Sequence, residues 1–241
     1  MTHVNPAEDP LAERLARVRA QLADAAGKAG RAAEEVRLIA ISKTHPPDVV
    51  RHLIELGATD VGENRVQEAE EKIIEIGRDK VRWHLVGHLQ ANKARRAVNL
   101  FDVIHSLDSI DLARRLDRLC EEEGRDKLRV LIQVDLGHEE TKSGIEETAL
   151  SQLVDSLAEL SRLELIGLMT LPPFFENPED SRPFFRRLRE LRDELSRQGA
   201  FQDRKTELSM GMTQDFAVAI EEGATMVRVG TAIFGERAAR H

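Results

Sequence analysis

The chain has 241 residues, 41% hydrophobic and 32% charged, an ordinary globular mix long enough to bury a sizeable core. Its net charge of -8 argues against a general nucleic-acid binder, which needs a basic face for the phosphates, and no stretch approaches the roughly 20 apolar residues of a membrane span. The single cysteine, Cys120, allows no internal disulfide and fits a reducing cytosol, and the opening MTHVNPAEDP has neither a basic leader nor an apolar run.

Asp9-Pro10 predicts a helix start, and Leu11, Leu15, Val18 and Leu22 fall on one face of a helix running to about Gly30. After it the chain alternates. Short apolar runs predict strands at 36–43, 60–63, 82–87, 103–108, 129–136, 164–169, 207–211 and 226–231. Amphipathic helices are expected at 47–56, 65–76, 109–123, 146–160, 181–197 and 214–222, with a shorter basic helix after residue 87. Parallel strands need such crossovers, so the pattern predicts an α/β fold: a single (β/α)8 TIM barrel over residues 1–241 with an extra N-terminal helix. An open doubly wound sheet would more often show a Gly-rich first turn, and none follows the first strand. The segment LPPFFENPED after the sixth predicted strand reads as a surface loop near the barrel mouth.

Barrel active sites lie at the C-terminal strand ends. VRLIAISKTHPP places Lys43 there. A lysine at a strand end is ordinarily solvated. Lys43 shares strand parity with Ile39 and Ile41, however, which would turn it inward, where desolvation lowers an amine's pKa and suits it to carbonyl chemistry. ELSMGMTQDF and MVRVGTAIFG put small residues after the last two strands, where barrels often bind phosphate. Ser209 and Thr231 supply hydroxyls there, and Gly230 permits close backbone approach, although such glycines also serve tight turns. Arg228 interrupts an apolar strand, so it is exposed, paired or facing a ligand. His84, His88 and His105 match no metal-ligand spacing and read as hydrogen-bonded histidines, QANKARR as a solvated basic face and Cys120 as packing. A lysine, a phosphate cradle and an arginine together suggest a phosphorylated aldehyde: pyridoxal phosphate, or the substrate of a sugar-phosphate aldolase.

The segments AISKTHP, GENRVQE, WHLVGHLQANK, HSLDS, ETKSG, GLMTLPP, LSMGMTQDF and VRVGTAIFGER closely resemble the pyridoxal phosphate homeostasis proteins, the YggS-like family. They span nearly the whole chain after the first helix. The resemblance implies a barrel like the N-terminal domain of alanine racemase. It implies that Lys43 carries pyridoxal 5'-phosphate as an aldimine, that Ser209, Gly230 and Thr231 hold the phosphate, that Arg228 faces the pyridine nitrogen and that Asn64 lies near the ring. Residues His45, Arg65, Asp135 and Thr213 depart from the family's common choices, Thr213 standing where serine is usual.

The function expected from this resemblance is a cytoplasmic, monomeric carrier or buffer of the cofactor in vitamin B6 and amino-acid homeostasis. Its partners would be pyridoxal phosphate and the apo-enzymes that receive it, with no nucleic acid, no membrane, no metal and no catalytic residue. The alternatives are a pyridoxal-phosphate-dependent racemase or lyase, and a Schiff-base aldolase without cofactor. An arginine at the pyridine nitrogen makes the ring a poorer electron sink. The chain also has no tyrosine, so a racemase using opposed lysine and tyrosine bases is excluded.

Overall fold

The computed structural model describes residues 9–137, 143–201 and 205–235. The start of the chain, residues 140–142 of ETKSG and residues 236–237 of the last motif lie outside them.

Helix α1 (Pro10–Lys28) starts as expected: the Asp9 carboxylate accepts from the Leu11 and Ala12 amides, and proline at the first position gives up no needed donor. Its buried stripe of Leu11, Leu15, Val18 and Leu22 packs the helix onto the outside of the barrel near the chain's last two helices.

The strands are β1 (Arg37–Ile41), β2 (Asp60–Glu63), β3 (Arg82–Leu85), β4 (Val103–Leu107), β5 (Leu128–Asp135), β6 (Ile145–Glu146), β7 (Leu163–Met169), β8 (Glu207–Ser209) and β9 (Met226–Val229). Every pairing is parallel, β1 pairs with both β2 and β9, and β4 pairs with β5. These pairings close eight strands into a barrel, with two-residue β6 added on the outer end of β5. Between the strands run α2 (Pro47–Glu55), α3 (Val66–Ile76), α4 (Ala94–Leu100), α5 (Ile110–Glu122), α6 (Leu150–Ala158), α7 (Arg182–Arg197) and α8 (Phe216–Glu221), and α9 (Thr231–Phe234) follows β9. Two features differ from the sequence reading. The helix expected from residue 146 begins at Leu150, because Ile145–Glu146 pairs with β5 first. The last strand stops at Val229, and Thr231 opens the short helix α9.

The main hydrophobic core lies between strands and helices. Inside the barrel are two smaller apolar clusters, Ile39, Ile41, Val86 and Met226 in one and Val103, Leu131 and Met169 in the other. Parallel register puts paired residues on the same face, so Arg228 (beside Ile39) and His84 (beside Gly62) point inward. Gly62 is required there. A Cβ would come within 2.5 Å of Ile41 Cδ1 and 2.9 Å of Ile39 Cγ2.

Candidate functional site

A cavity of about 580 Å³ opens at the C-terminal ends of the strands. Lys43, Asn64, Arg228, Gly230 and Thr231 all line it.

Lys43 lies two residues beyond the end of β1, half-buried in a turn. The turn is built rather than loose. The Ser42 amide extends the ladder by donating to the Gly62 carbonyl (3.1 Å), the His45 amide donates back to the Ser42 carbonyl (3.1 Å), and Thr44 takes a left-handed φ of 69° that few non-glycine residues adopt. The Thr44 amide donates to Glu68 Oε1 at 2.5 Å, and the His45 ring stacks on Phe234 at 4.5 Å. Below it, Lys72 Nζ donates to the Ser42 carbonyl (2.6 Å) and to Glu63 Oε1 (2.5 Å), which also accepts from Ser42 Oγ (2.5 Å). Burial pushes the Glu63 carboxyl up, and the Lys72 charge works against that rise.

Asn64 follows β2 and forms part of the wall. Its backbone presses against Gly87, where a Cβ would sit 2.2 Å from the Asn64 carbonyl oxygen. Only glycine allows β3's continuation to pass so close. Lys43 and Asn64 also line a neighbouring polar cavity that includes Arg65, His88 and Lys93.

Arg228, only 3% exposed, projects from β9 into the barrel. Its Nη1 donates to Ser209 Oγ (2.6 Å) and its Nη2 to the Thr170 carbonyl (2.9 Å). Burial pulls its pKa down to about 10, against the pull of the Asp215 charge. Gly230 brings the backbone close to β1, where a Cβ would meet the Ile41 carbonyl oxygen at 3.3 Å.

The sequence reading assigns Ser209 to a ligand's phosphate. It is fully buried at the end of β8, is absent from the cavity lining, and has its Oγ engaged by Arg228 and by His105 Nδ1 at 2.9 Å. The hydroxyl-bearing residue that this segment places in the cavity lining is Thr213. Gly211, at φ 89°, turns the chain between them, and the Met212 amide donates to Asp215 Oδ1 (2.6 Å) to hold the loop. The sequence signal was present in LSMGMTQDF, but spacing alone does not say which hydroxyl faces outward. The loop 171–180 walls the opposite side of the cavity with Leu171, Pro172 and Phe174, and the last is 74% exposed.

His84 and His105 are fully buried inside the barrel. His84 Nε2 lies 2.9 Å from Asp60 Oδ1, and its Nδ1 lies 2.8 Å from His105 Nε2. Burial lowers the pKa of both, that of His105 strongly; Asp60 pulls against the fall at His84. Burial raises Asp60, but the hydrogen bond and charge of His84, with Thr59 and Arg82, bring it below the usual carboxylate value. His88 instead is half exposed, with Nδ1 3.3 Å from Asp108 Oδ2. In QANKARR, Arg95 pairs with Glu122 and Glu123, and Arg96 pairs with Glu70. Cys120 is buried in α5. No cluster of three metal-ligating side chains occurs among the described residues.

The profile of the family "Alanine racemase, N-terminal domain" matches residues 14–238. A pyridoxal phosphate homeostasis protein of Aquifex aeolicus is 45% identical over 225 residues, which cover 93% of this chain and 97% of that protein. The structure of PipY from Synechococcus elongatus with PLP bound aligns at a TM-score of 0.82 and 41% identity, over 93% of this chain and 100% of that one. An alanine racemase of Clostridium difficile aligns at a TM-score of 0.74 over 96% of this chain but 58% of its own, and at 16% identity the likeness is one of fold alone.

Proposed function

The chain belongs to the alanine racemase N-terminal domain family and, within it, to the pyridoxal phosphate homeostasis proteins, and from this premise we propose that it binds and buffers pyridoxal 5'-phosphate. The observation that carries the reading is the convergence of Lys43, Arg228, Gly230 and Thr231 on one cavity. Their donor set fits the cofactor: an amine for an aldehyde, a guanidinium for a ring nitrogen, and hydroxyl and backbone groups for a phosphate. When bound, pyridoxal phosphate supplies an aldehyde that a lysine amine can hold as a Schiff base. Lys43 is the residue we assign to that bond. Gly230 and Thr231, with Thr213, hold the phosphate, and Asn64 borders the ring.

The protein is a carrier rather than a dedicated enzyme. Arg228 can only donate hydrogen bonds, so it favours an unprotonated ring nitrogen and weakens carbanion chemistry. No tyrosine stands ready as a second base. Among the described residues no helix is long and apolar enough to cross a membrane, in keeping with a cytoplasmic protein. We take residues 1–241 as one monomeric domain whose partners are the apo-enzymes that receive the cofactor.

The test is an absorption spectrum of the cofactor-loaded protein before and after borohydride, with peptide mapping of the reduced adduct. The expected adduct is on Lys43, and Lys43→Ala should lose the band while remaining folded. An adduct on Lys93 or Lys142 overturns the assignment. Steady turnover of amino acids by the loaded protein would favour the racemase or lyase reading.

A further inference from the structure

We propose that Ser209, His105, His84 and Asp60 form a one-directional hydrogen-bond relay across the barrel interior, which fixes the Arg228 guanidinium and makes all four positioning residues for the group that Arg228 faces. The relay runs from β9 to β8, then across to β4, β3 and β2.

The direction follows from what each group can do. An arginine has donors only, so Ser209 Oγ must accept from Arg228 Nη1. The serine hydroxyl then has one proton to give, and His105 Nδ1 lies 2.9 Å away. If it donates there, His105 carries its proton on Nε2 and donates to His84 Nδ1, and His84 in turn donates from Nε2 to Asp60. Every donor meets an acceptor, and both rings are neutral. The opposite direction fails at its far end. It would leave His84 Nε2 without a proton, 2.9 Å from the Asp60 carboxylate, with two lone pairs facing one another. Protonating Asp60 would repair that contact, but Asp60 Oδ1 also meets Arg82 Nη1 at 3.0 Å and Arg37 Nε at 3.5 Å, and both hold it ionised. A charged His84 would add a buried cation to the field of Arg37 and Arg82, which burial already opposes.

The consequence reaches the cavity. The Ser209 proton is committed to His105, and its oxygen to Arg228, so Ser209 acts on a ligand through Arg228 alone. Arg228 is held at two nitrogens, by Ser209 and by the Thr170 carbonyl, and its remaining N–H groups are left for the cavity that it lines. Asp215 supplies negative charge to a guanidinium that has no carboxylate among its hydrogen-bond partners in the described residues. That the group facing Arg228 is a pyridine ring rests on the reading above; the relay itself does not.

The experiment is nitrogen-15 NMR of histidine-labelled, cofactor-free, full-length protein, with resonances assigned through His84→Gln and His105→Gln. Both rings are expected to be neutral with the proton on Nε2, from about pH 6 to about pH 8. A doubly protonated ring, or a proton on Nδ1 of either ring, overturns the relay. In Ser209→Ala, His105 should keep its proton on Nε2, which still donates to His84, while its Nδ1 loses the hydroxyl donor and its Nδ1 signal shifts; an unchanged Nδ1 signal also overturns the relay. With nitrogen-15 pyridoxal phosphate bound, Ser209→Ala should shift the ring-nitrogen signal and Ser209→Thr should restore it, a pattern that simple loss of packing would not produce. The two readings fail separately. An expected tautomer pattern with no borohydride adduct on Lys43 overturns the cofactor assignment and sustains the relay, and the reverse result overturns the relay alone.

Discussion

Lys72 Nζ lies 2.5 Å from Glu63 Oε1, and this buried pair sits under the turn that carries Lys43. The remaining carboxylate oxygen, Oε2, has no hydrogen-bond partner among the described residues. Removing one member of such a pair leaves an uncompensated buried charge. Lys72→Met should therefore destabilise the protein by about 3–5 kcal/mol. The double variant Lys72→Met with Glu63→Gln should recover part of that loss, because the charge is gone as well. Urea unfolding of the three proteins checks this. Equal instability of single and double variants would place the cost in packing instead.

The phosphate assignment predicts a selective loss. Thr213→Ala combined with Thr231→Ala removes two hydroxyl donors, and hydrogen bonds to charged groups contribute about 1.5–3 kcal/mol each. Affinity for pyridoxal phosphate should fall well over tenfold, while affinity for pyridoxal changes little. Ser209→Ala should weaken both ligands alike, since Ser209 acts through Arg228. Titrations followed by absorbance separate these outcomes, and a phosphate-selective loss in Ser209→Ala would return Ser209 to the phosphate site.

Gly87→Ala tests the wall of the cavity. The added Cβ would sit 2.2 Å from the Asn64 carbonyl oxygen, and backbone cannot yield as a side-chain tip can. Overpacking of this kind costs about 1–3 kcal/mol. Both the melting temperature and cofactor affinity should drop, since Asn64 lines the cavity. A variant with wild-type melting and binding would show that this contact is not tight.

Stability should rise with pH on the acid side of neutrality. His84 and His105 have lowered pKa values in the folded protein, so below about pH 6.5 the unfolded chain takes up protons that the folded one refuses. Their contribution is present above that pH and is lost as pH falls towards their folded values, at up to about 1.4 kcal/mol per pH unit for each ring. His52 works in the opposite sense. Its hydrogen bond to Asp9 raises its pKa, so its contribution is full below about pH 6.5 and is lost as pH rises through the folded value. Its side chain is 40% exposed, which keeps that effect small. Urea midpoints at about pH 5 should lie below those at about pH 7. His52→Gln should steepen the difference, and a flat profile would mean that a buried ring is charged.

Much of the barrel could be read from local pattern. Alternation of short apolar runs with helical stripes located the eight strands to within a few residues, because a buried strand and a half-buried helix impose different periods on the chain. Two-residue parity also carried information: Ile39 and Ile41 lie in one interior cluster, and Lys43 follows them to the cavity. Arg228 declared itself as a cation in an apolar strand. The helix α9 did not, since four residues are too few for a period.

The order of elements and the residues at each strand's end were therefore legible from the chain, because both follow from neighbours along it. Which of those residues share a space depends instead on how the barrel closes. Ser209 and Thr213 are alike in type and four residues apart, yet the left-handed turn at Gly211 sends one into the barrel and the other to the cavity. His105 and Ser209 meet across 104 residues of chain. Their contact exists only because β1 pairs with β9 and β4 with β5, so that the closed sheet faces strands towards each other that are neighbours neither in sequence nor in register.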